Sequence, residues 1–333
     1  MINYIVFGES HGPCVGIVVE GLPAGLSADA ETLRRELSRR AGGHALTTAR
    51  RERDEVRFLS GVYNGKTTGM PVCAVIDNTD VKSADYDALK NLPRPGHADY
   101  TARVQSGGNN DPRGGGRFSG RLTAPLVAAG ALAKQVLAAR GITVTARLTH
   151  IGGEKLENPA ASPQELDAQA QRIIGAARAQ GDSVGGVIQC TLEGVGAGFG
   201  GPEHTRSVEG VIARHIFGIG GVKAIGFGAG AAFADMRGSE ANDAFYVDGG
   251  AVKTRTNHNG GINGGITNGM PVVFDVTVKP TPSIAREQET VDLSTMQSAK
   301  VAVTGRHDPC IAVRAVAAVE AAAALAACEL LEI

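Results

Sequence analysis

The chain has 333 residues, 43% of them hydrophobic, and a formal net charge of -1. This composition excludes an intrinsically disordered chain and is sufficient for one large folded domain, which we take as residues 1–333. The five cysteines are odd in number and widely scattered, as expected of reduced thiols in a cytoplasmic protein. The first residues lack a basic segment, and charges interrupt the most apolar stretch, 311–333. We therefore expect neither a signal peptide nor a membrane partner.

The first predicted helix spans residues 27–41. Ser27 is its expected N-cap, and Gly42-Gly43 follows its last turn, a pattern typical of a helix end. Arg39 and Arg40 lie in that last turn, beside the glycines. They are the two residues of this basic region that we consider candidates for a site.

Three more helices are predicted further along the chain. Residues 122–140 and 313–331 are rich in alanine, so their small side chains permit close packing. Ser162-Pro163-Gln164-Glu165 has the pattern of a capping box with proline at the first helical position. It is expected to open a polar helix that runs to about Gln180.

Strands are predicted where apolar and polar residues alternate, as in 187–193 and 271–279. Such one-sided strands favour antiparallel sheets with one solvated face. Thr67-Thr68-Gly69-Met70-Pro71-Val72 resembles Thr267-Asn268-Gly269-Met270-Pro271-Val272. If this short match is not chance, it indicates two related halves with a ligand between them.

The segment from Arg94 to Arg121 is the most informative part of the sequence. It contains five arginines, no lysine and two acids, a local excess of three positive charges on a nearly neutral chain. Guanidinium groups offer paired donors that match phosphate and carboxylate. Gly114-Gly115-Gly116 permits close approach of the backbone to a ligand. The segment therefore indicates a small polyanion, the alternative being a solvated basic loop.

Three histidines lie in glycine-rich, non-periodic sequence. They are His11 in Phe7–Gly12, His97 within the arginine segment, and His307 in Gly305–Cys310. A histidine beside phosphate-binding arginines can act as an acid toward a leaving phosphate, although a single histidine is more often structural. A glycine-rich stretch, 259–269, also precedes the predicted strand 271–279 and suggests a backbone wall against a flat ligand.

Common nucleotide and metal motifs do not account for these residues. The sequence has no Gly-x-x-x-x-Gly-Lys-Ser/Thr motif, no glycine fingerprint after a clear strand and no paired cysteines, so we expect no P-loop, Rossmann or zinc site. Two other classes stay open. One is a non-catalytic anion- or RNA-binding protein, and the other is a metal-dependent phosphatase built on the histidines and Asp308.

Taken together, six motifs resemble the chorismate synthase family, in that family's order over nearly the whole chain. They are Phe7-Gly8-Glu9-Ser10-His11-Gly12, Arg94-Pro95-Gly96-His97-Ala98-Asp99-Tyr100-Thr101, Arg113-Gly114-Gly115-Gly116-Arg117, Gly181-Asp182-Ser183-Val184-Gly185-Gly186, Gly260-Gly261-Ile262-Asn263-Gly264-Gly265-Ile266 and Gly305-Arg306-His307-Asp308-Pro309-Cys310.

The resemblance implies a lyase that converts 5-enolpyruvylshikimate 3-phosphate to chorismate and phosphate by anti-1,4-elimination. It implies dependence on reduced FMN without net redox change, and NADPH as a possible reductant. The implied fold is α+β, a β-α-β sandwich with a helical layer between antiparallel sheets and a pseudo-two-fold internal repeat. The implied assembly is a homotetramer. Since no reductase domain is evident, reduced flavin would come from a separate flavin reductase, and no nucleic acid or metal is expected.

The resemblance also implies roles for individual residues. His11 would assist departure of the phosphate, His97 would stabilise or protonate the reduced flavin, and Asp308 would act in removing the C6 proton. Substrate-facing positions are Ser10, Arg39, Arg94 and Arg121. Cofactor-facing positions are Arg39 (linked to NADPH), Arg117, Phe118, Ser119, Gly220, Gly221, Gly264, Lys279, Pro280, Thr281, Pro282, Ser283 and Arg306. The sequence departs from the family pattern at Ala45, Phe118, Pro282 and residues 102–110.

Overall fold

A computed structural model gives the fold of the chain and describes residues 2–42, 46–47, 54–79, 90–303 and 307–332. Within these residues the helices are α1 (Ala30–Ser38), α2 (Asp99–Gln105), α3 (Thr123–Ala138), α4 (Ala168–Ala179), α5 (Val208–Phe217), α6 (Gly238–Ala241) and α7 (Ala312–Leu330). The strands are β1 (Asn3–Gly8), β2 (Cys14–Glu20), β3 (Val56–Ser60), β4 (Val62–Tyr63), β5 (Lys66–Thr67), β6 (Val72–Asp77), β7 (Thr143–Ile151), β8 (Glu154–Ala160), β9 (Gly186–Glu193), β10 (Ala197–Gly200), β11 (Val222–Phe227), β12 (Phe245–Asp248), β13 (Ala251–Thr254), β14 (Ile262–Asn263), β15 (Ile266–Asn268), β16 (Val272–Val278), β17 (Gln288–Asp292) and β18 (Gln297–Val301).

Two antiparallel sheets carry most of the core. The first has the strand order β1-β2-β6-β3, and the second has the order β11-β16-β9-β7-β8. If the edge strand β8 is left aside, the second sheet has the order β7-β9-β16-β11. When the strands of each sheet are numbered along the chain, both sheets have the order first, second, fourth, third. The chain is thus a mixed α+β protein, as predicted.

The alternation predicted for the central strands of the second sheet is confirmed. In β16, Val272, Phe274, Val276 and Val278 are each at most 1% exposed. The residues between them point to the other face and are half-buried or exposed. In β9, the side chains paired with this row are also buried. One face of the sheet therefore packs inward, because burial of the alternating apolar residues stabilises it.

The predicted alanine-rich helices α3 and α7 pack against each other. α3 also contacts β2 and β6 of the first sheet, whereas α7 contacts β7 and β9 of the second. Gly130 of α3 faces Ala321 of α7 so closely that a Cβ added to Gly130 would lie 2.3 Å from the Ala321 Cβ. Among the helices of the described residues, none combines the length and apolar character needed to cross a bilayer.

One buried acid joins these layers. Glu320 of α7 is 4% exposed, and its carboxylate accepts hydrogen bonds from Arg39 (2.6 and 2.8 Å), Lys134 of α3 (2.7 Å) and the backbone N–H of Ala146 in β7 (2.8 Å). Burial alone would raise the pKa of Glu320, but Arg39 and Lys134 outweigh it and the pKa is lowered. The acid is therefore held ionised between two cations, which compensates its removal from water.

The helix starts differ from the sequence prediction. Asp29, not Ser27, caps α1 by accepting from the backbone N–H of Glu31 and Thr32. Likewise, α4 begins at Ala168 after the N-cap Asp167, and Pro163–Glu165 forms a separate 3-10 turn. In both cases an aspartate beyond the predicted cap satisfies the free amides of the first turn instead.

The two similar sequence segments have matching local contacts. Thr67 Oγ1 accepts from a backbone N–H at 2.9 Å and donates to a carbonyl at 2.7 Å, and Thr267 makes the corresponding bonds at 3.0 and 2.7 Å. Gly61 and Gly261 both have positive φ, and an added Cβ would lie 2.5 and 2.4 Å from the carbonyl oxygen ten residues later. Each segment leads into a central strand, β6 or β16.

The contact between α3 and α7 predicts the effect of Gly130→Ala. We expect this change to destabilise the protein by about 1–3 kcal/mol, because the added methyl overlaps Ala321 in a closely packed interior. Gly175→Ala in α4 is the matched control: a Cβ there meets nothing within 4 Å, so it should stabilise by about 0.5–1 kcal/mol through helix propensity. Urea unfolding of both variants measures this, and equal effects of the two changes would contradict the packing argument.

Candidate active site

The three-glycine turn brings His11 and His97 to the same place. A Cβ on Gly114 would lie 2.4 Å from Cδ2 and 2.5 Å from Nε2 of His11, and a Cβ on Gly115 would lie 3.1 Å from Cε1 and Nε2 of His97. The turn has positive φ at both glycines. A Cβ at Gly114 would displace the ring of His11 and one at Gly115 would crowd that of His97, so glycine permits both rings to lie against the turn. His11 itself is 8% exposed.

The loop that carries His11 is bonded to the same turn. The backbone N–H of Ser10 donates to the carbonyl of Gly116 at 3.1 Å, and the Ser10 side chain lies so close to Gly114 that a Cβ added there would be 3.1 Å from Ser10 Oγ. Ser10 is fully buried. Ser10, predicted to face the substrate, and His11, the predicted acid, lie near the N-terminus. Their loop is therefore held against the arginine segment.

Asp99 organises the other half of the histidine pair. Its carboxylate accepts from Arg94 Nε (2.7 Å), Arg94 Nη2 (2.7 Å) and the Arg94 backbone N–H (3.0 Å), and it lies 2.6 Å from His97 Nδ1. Burial alone would raise the pKa of Asp99, but Arg94 and His97 lower it far below its usual range. Nδ1 of His97 thus faces Asp99 and Arg94 Nη2 (3.1 Å), and Nε2 faces Gly115. A proton on Nδ1 would be held by the ionised carboxylate.

The segment after β16 connects these residues to Asp308. Ser283 Oγ accepts from Arg94 Nη1 at 3.1 Å, and Lys279 Nζ donates to the carbonyl of Gly96. Thr281 Oγ1 donates to the carbonyl of Asp308 at 2.6 Å. The predicted cofactor segment 279–283 thus lies between the arginine segment and the loop that carries Asp308. Pro282, within it, packs against Gly96.

Other predicted cofactor positions lie beside this segment. Gly221 accepts from the Lys279 backbone N–H at 2.9 Å, and a Cβ on Gly220 would be 3.9 Å from the carbonyl oxygen of Phe118. The Phe118 side chain is 48% exposed, and the neighbouring Arg117 is exposed as well. An aromatic face and a cation are therefore both accessible at this position.

Arg121 is buried and engaged by the protein itself. It forms an ion pair with Asp54, and its Nε and Nη2 donate to Asn78 Oδ1 (3.0 Å) and the carbonyl of Asp77 (3.2 Å). Arg40, which is 2% exposed, pairs with the same Asp54. Burial would raise the pKa of Asp54, but the guanidinium groups of Arg40 and Arg121 lower it.

This buried cluster also supports the histidine loop. Asn78 Nδ2 donates to the carbonyls of Glu9 (3.0 Å) and Gly12 (2.8 Å), on either side of His11. Arg121 is therefore linked to the loop that carries His11 through Asn78.

The structure does not bring every candidate to this place. Arg39 is bound by Glu320 and by Glu36 (3.1 Å), whereas its neighbour Arg40 faces the Arg121 cluster. Gly264 lies in the turn between β14 and β15, where a Cβ would meet nothing within 4 Å, and the adjoining Gly265 bonds to Gly201 and Val208. Arg306 and Ala45 lie outside the described residues.

Sequence reasoning missed several residues that hold the site together. Asp99 and Asp54 neutralise its arginines, Asn78 fixes the histidine loop, and Arg314 bonds Asp308 Oδ2 at 2.8 Å. A signal existed for Asp99, which lies two residues after His97 in the same motif. Within the described residues, no group of three or more His, Cys, Asp or Glu side chains is arranged to hold a metal ion.

Comparison with known proteins identifies the family of the chain. Residues 2–331 match the protein-family model for chorismate synthase. The chain belongs to the chorismate synthase family. It is 46% identical over 334 residues to the chorismate synthase of Korarchaeum cryptofilum, covering 96% of this chain and 92% of that protein. It is also 46% identical to that of Thermococcus gammatolerans, covering 96% and 93%.

A solved structure gives the same result for the fold. A crystal structure of a chorismate synthase superposes with a TM-score of 0.76 at 27% identity, covering 99% of this chain and 91% of that chain. The resemblance seen in the motifs is thereby confirmed. As a member of the chorismate synthase family, the chain is a lyase of the shikimate pathway, which leads to the aromatic amino acids.

The contact of Gly114 with His11 predicts a selective loss of activity. We expect Gly114→Ala to slow turnover by about 10²-fold, because displacement of a reacting group by about 1 Å has an effect of that size. Gly108→Ala is the control, since Gly108 also has positive φ but an added Cβ meets nothing within 4 Å. Steady-state rates, with unfolding curves for both variants, measure the effect. Equal losses in the two variants would mean that backbone strain, not the histidine contact, is responsible.

Proposed function

We propose that this site eliminates phosphate from 5-enolpyruvylshikimate 3-phosphate to give chorismate, with reduced FMN bound beside the substrate. The observation that carries the proposal is the convergence of His11 and His97 on one glycine turn, next to Arg94. This arrangement combines proton donors with a rigid anion-binding group, as the release of a phosphate from a small polyanion requires.

The substrate has a phosphate and two carboxylates, so its recognition depends on cations. Arg94 is held in place by Asp99 and Ser283, which fixes its guanidinium plane. Ser10 lies beside His11. We assign Ser10 and Arg94 to the substrate, and we assign Arg121 to it with Arg40 as the adjacent buried guanidinium. Arg39, bound by Glu320, supports the fold of this region in the present structure.

The elimination needs one proton donated and one removed. As the C3–O bond breaks, its electron pair leaves with the phosphate, and we assign His11 as the donor of a proton to that group. The C6–H bond supplies the electron pair of the new double bond, and we assign Asp308 as the base that receives the proton. His97, whose Nδ1 is held by Asp99, presents Nε2 to the cofactor side.

The residues at 117–119, 220–221 and 279–283 fit a flavin mononucleotide. Phe118 offers an exposed ring for a flat ligand, and Arg117 offers a cation for its phosphate. Burial, and then the like charge of Lys223, lower the pKa of Lys279. An anion bound beside Lys279 would favour its protonated form. When bound, reduced FMN would supply an electron-rich ring that lends electron density to the substrate as phosphate leaves, without net redox change.

We extend the proposal to the architecture. The position of α3 and α7 between the two sheets supports a β-α-β sandwich, and the equal strand orders and matching turns at 61–72 and 261–272 support a pseudo-two-fold repeat. We also propose a homotetramer, a separate flavin reductase as electron source and a cytoplasmic location. NADPH would serve only as a reductant. Five unpaired cysteines support that location.

The flavin requirement is tested by an anaerobic assay with the enolpyruvyl substrate. We expect phosphate and chorismate to form in equal amounts with chemically reduced FMN, and neither to form with oxidised FMN or without flavin. Phosphate and chorismate are each quantified against time. Equal phosphate release under all three conditions would refute the proposed mechanism and favour a phosphatase, whose activity a chelator would test.

The proton-transfer assignments are tested by single variants in the same assay. We expect His11→Ala, His97→Ala and Asp308→Asn each to slow turnover by about 10²-fold or more, because each loses a group that transfers or orients a proton. His204→Ala is the matched control, since His204 is exposed on the surface. A near-normal rate for any of the three would remove that residue from the mechanism.

A further inference from the structure

Arg314 forms an ion pair with the proposed base. Its Nη1 lies 2.8 Å from Asp308 Oδ2, and the two side chains are 20% and 11% exposed. Its Nε donates to the carbonyl of Arg40 at 2.7 Å. One guanidinium therefore connects Asp308 to the main chain of the buried cluster formed by Arg40, Asp54 and Arg121.

The location of Arg314 in its helix is not one that helix stability favours. Arg314 lies in the first turn of α7, which has no acidic residue in that turn. The amide groups at a helix N-terminus carry a partial positive charge, so a cation there is unfavourable. A residue that breaks a local rule in this way usually serves the site beside it. The contacts of Arg314 with Asp308 and with the carbonyl of Arg40 help to compensate this cost.

The backbone and the side chain of Asp308 are held from different directions. Thr281 Oγ1 donates to the Asp308 carbonyl at 2.6 Å, and the following Pro309 accepts from the backbone N–H of Val184 at 2.9 Å. These bonds locate the main chain. The bond from Arg314 acts on the carboxylate itself and so restricts its rotation about the side-chain torsions.

We propose that Arg314 is a positioning residue for Asp308. By fixing Oδ2, it holds the carboxylate in the orientation in which Asp308 receives the proton from C6 of the substrate. This inference rests on the proposed function, in which Asp308 is that base. It adds a residue outside the motifs to the proton-transfer machinery and assigns a reason for the cation at the start of α7.

The test compares Arg314→Met and Arg314→Lys with Asp308→Asn in the enzyme reconstituted with reduced FMN. Arg172→Met is the matched control, because it removes a surface arginine whose bond to Glu154 has a similar length of 2.7 Å. The readouts are kcat, KM, and the primary isotope effect with substrate deuterated at C6. Binding of FMN, followed by its absorbance change, checks that each variant retains its site.

We expect Arg314→Met to lower kcat by about 10- to 100-fold with little change in KM, since a misplaced base affects the transition state and not substrate binding. The isotope effect should rise as C6–H cleavage becomes rate-limiting. Added guanidinium ion, well below denaturing concentrations, should restore part of kcat in Arg314→Met but not in Asp308→Asn. Arg172→Met should behave as the unmodified enzyme.

The outcomes separate this inference from the proposed function. A normal rate in Asp308→Asn would overturn the role of Asp308, and the role of Arg314 with it. If Asp308→Asn is slow but Arg314→Met has a normal kcat and isotope effect, the inference about Arg314 alone is overturned. A change in Arg314→Met that is confined to KM would also overturn it. If Arg314→Met does not fold, the isotope effect of Arg314→Lys decides, because lysine keeps the charge but lacks the paired geometry.

Discussion

The approach of a glycine backbone to two imidazole rings is the constraint on which the site depends. Gly114 approaches His11 so closely that there is no room for a Cβ, and a Cβ on Gly115 would crowd the ring of His97 at 3.1 Å. The two histidines are 86 residues apart in the sequence, and they meet through this turn. Since the turn itself needs positive φ, other residue types would be strained and would also displace a ring.

The order of strands and helices explains where this turn lies. The strand orders β1-β2-β6-β3 and β7-β9-β16-β11 place α3 and α7 at corresponding points, each after the central strand of its sheet. The arginine segment directly precedes α3, and the segment with Asp308 directly precedes α7. Residues 279–283 connect these two segments through bonds to Gly96, Arg94 and Asp308.

Much of the fold could be predicted because it depends on local periodicity. The alternation in β9 and β16 and the apolar alanine-rich runs of α3 and α7 are properties of neighbouring residues. The starts of α1 and α4 were misplaced by a few residues because Asp29 and Asp167 compete with the serines as caps. A sequence pattern does not decide between two capping residues that lie a few positions apart. Which of them becomes the N-cap depends on where the chain enters the helix.

The candidate site could be predicted as a set of motifs but not as a set of contacts. Arg39 and Arg40 are adjacent and chemically identical, yet one pairs with Glu320, 281 residues away, and the other with Asp54. Only the direction of each side chain at the end of α1 separates them. For the same reason Asp54 and Asn78 carried no signal, because their partner Arg121 lies 67 and 43 residues away in the sequence. Arg314 is only 6 residues from Asp308, but no motif in the sequence includes it.

Several arginines of the site are already paired with acids, and this bears on what the site can bind. The pairs are Arg94 with Asp99, Arg40 and Arg121 with Asp54, Arg113 with Asp111, and Arg314 with Asp308. These carboxylates fix the guanidinium groups without cancelling the local excess of positive charge, because Asp99 and Asp111 are already counted in that excess and Asp54 is shared by Arg40 and Arg121. An extended polyanion such as RNA gains mainly from unpaired surface cations that release counterions. A small ligand with fixed phosphate and carboxylate groups gains from rigid guanidinium planes, which these internal carboxylates hold in place before it binds.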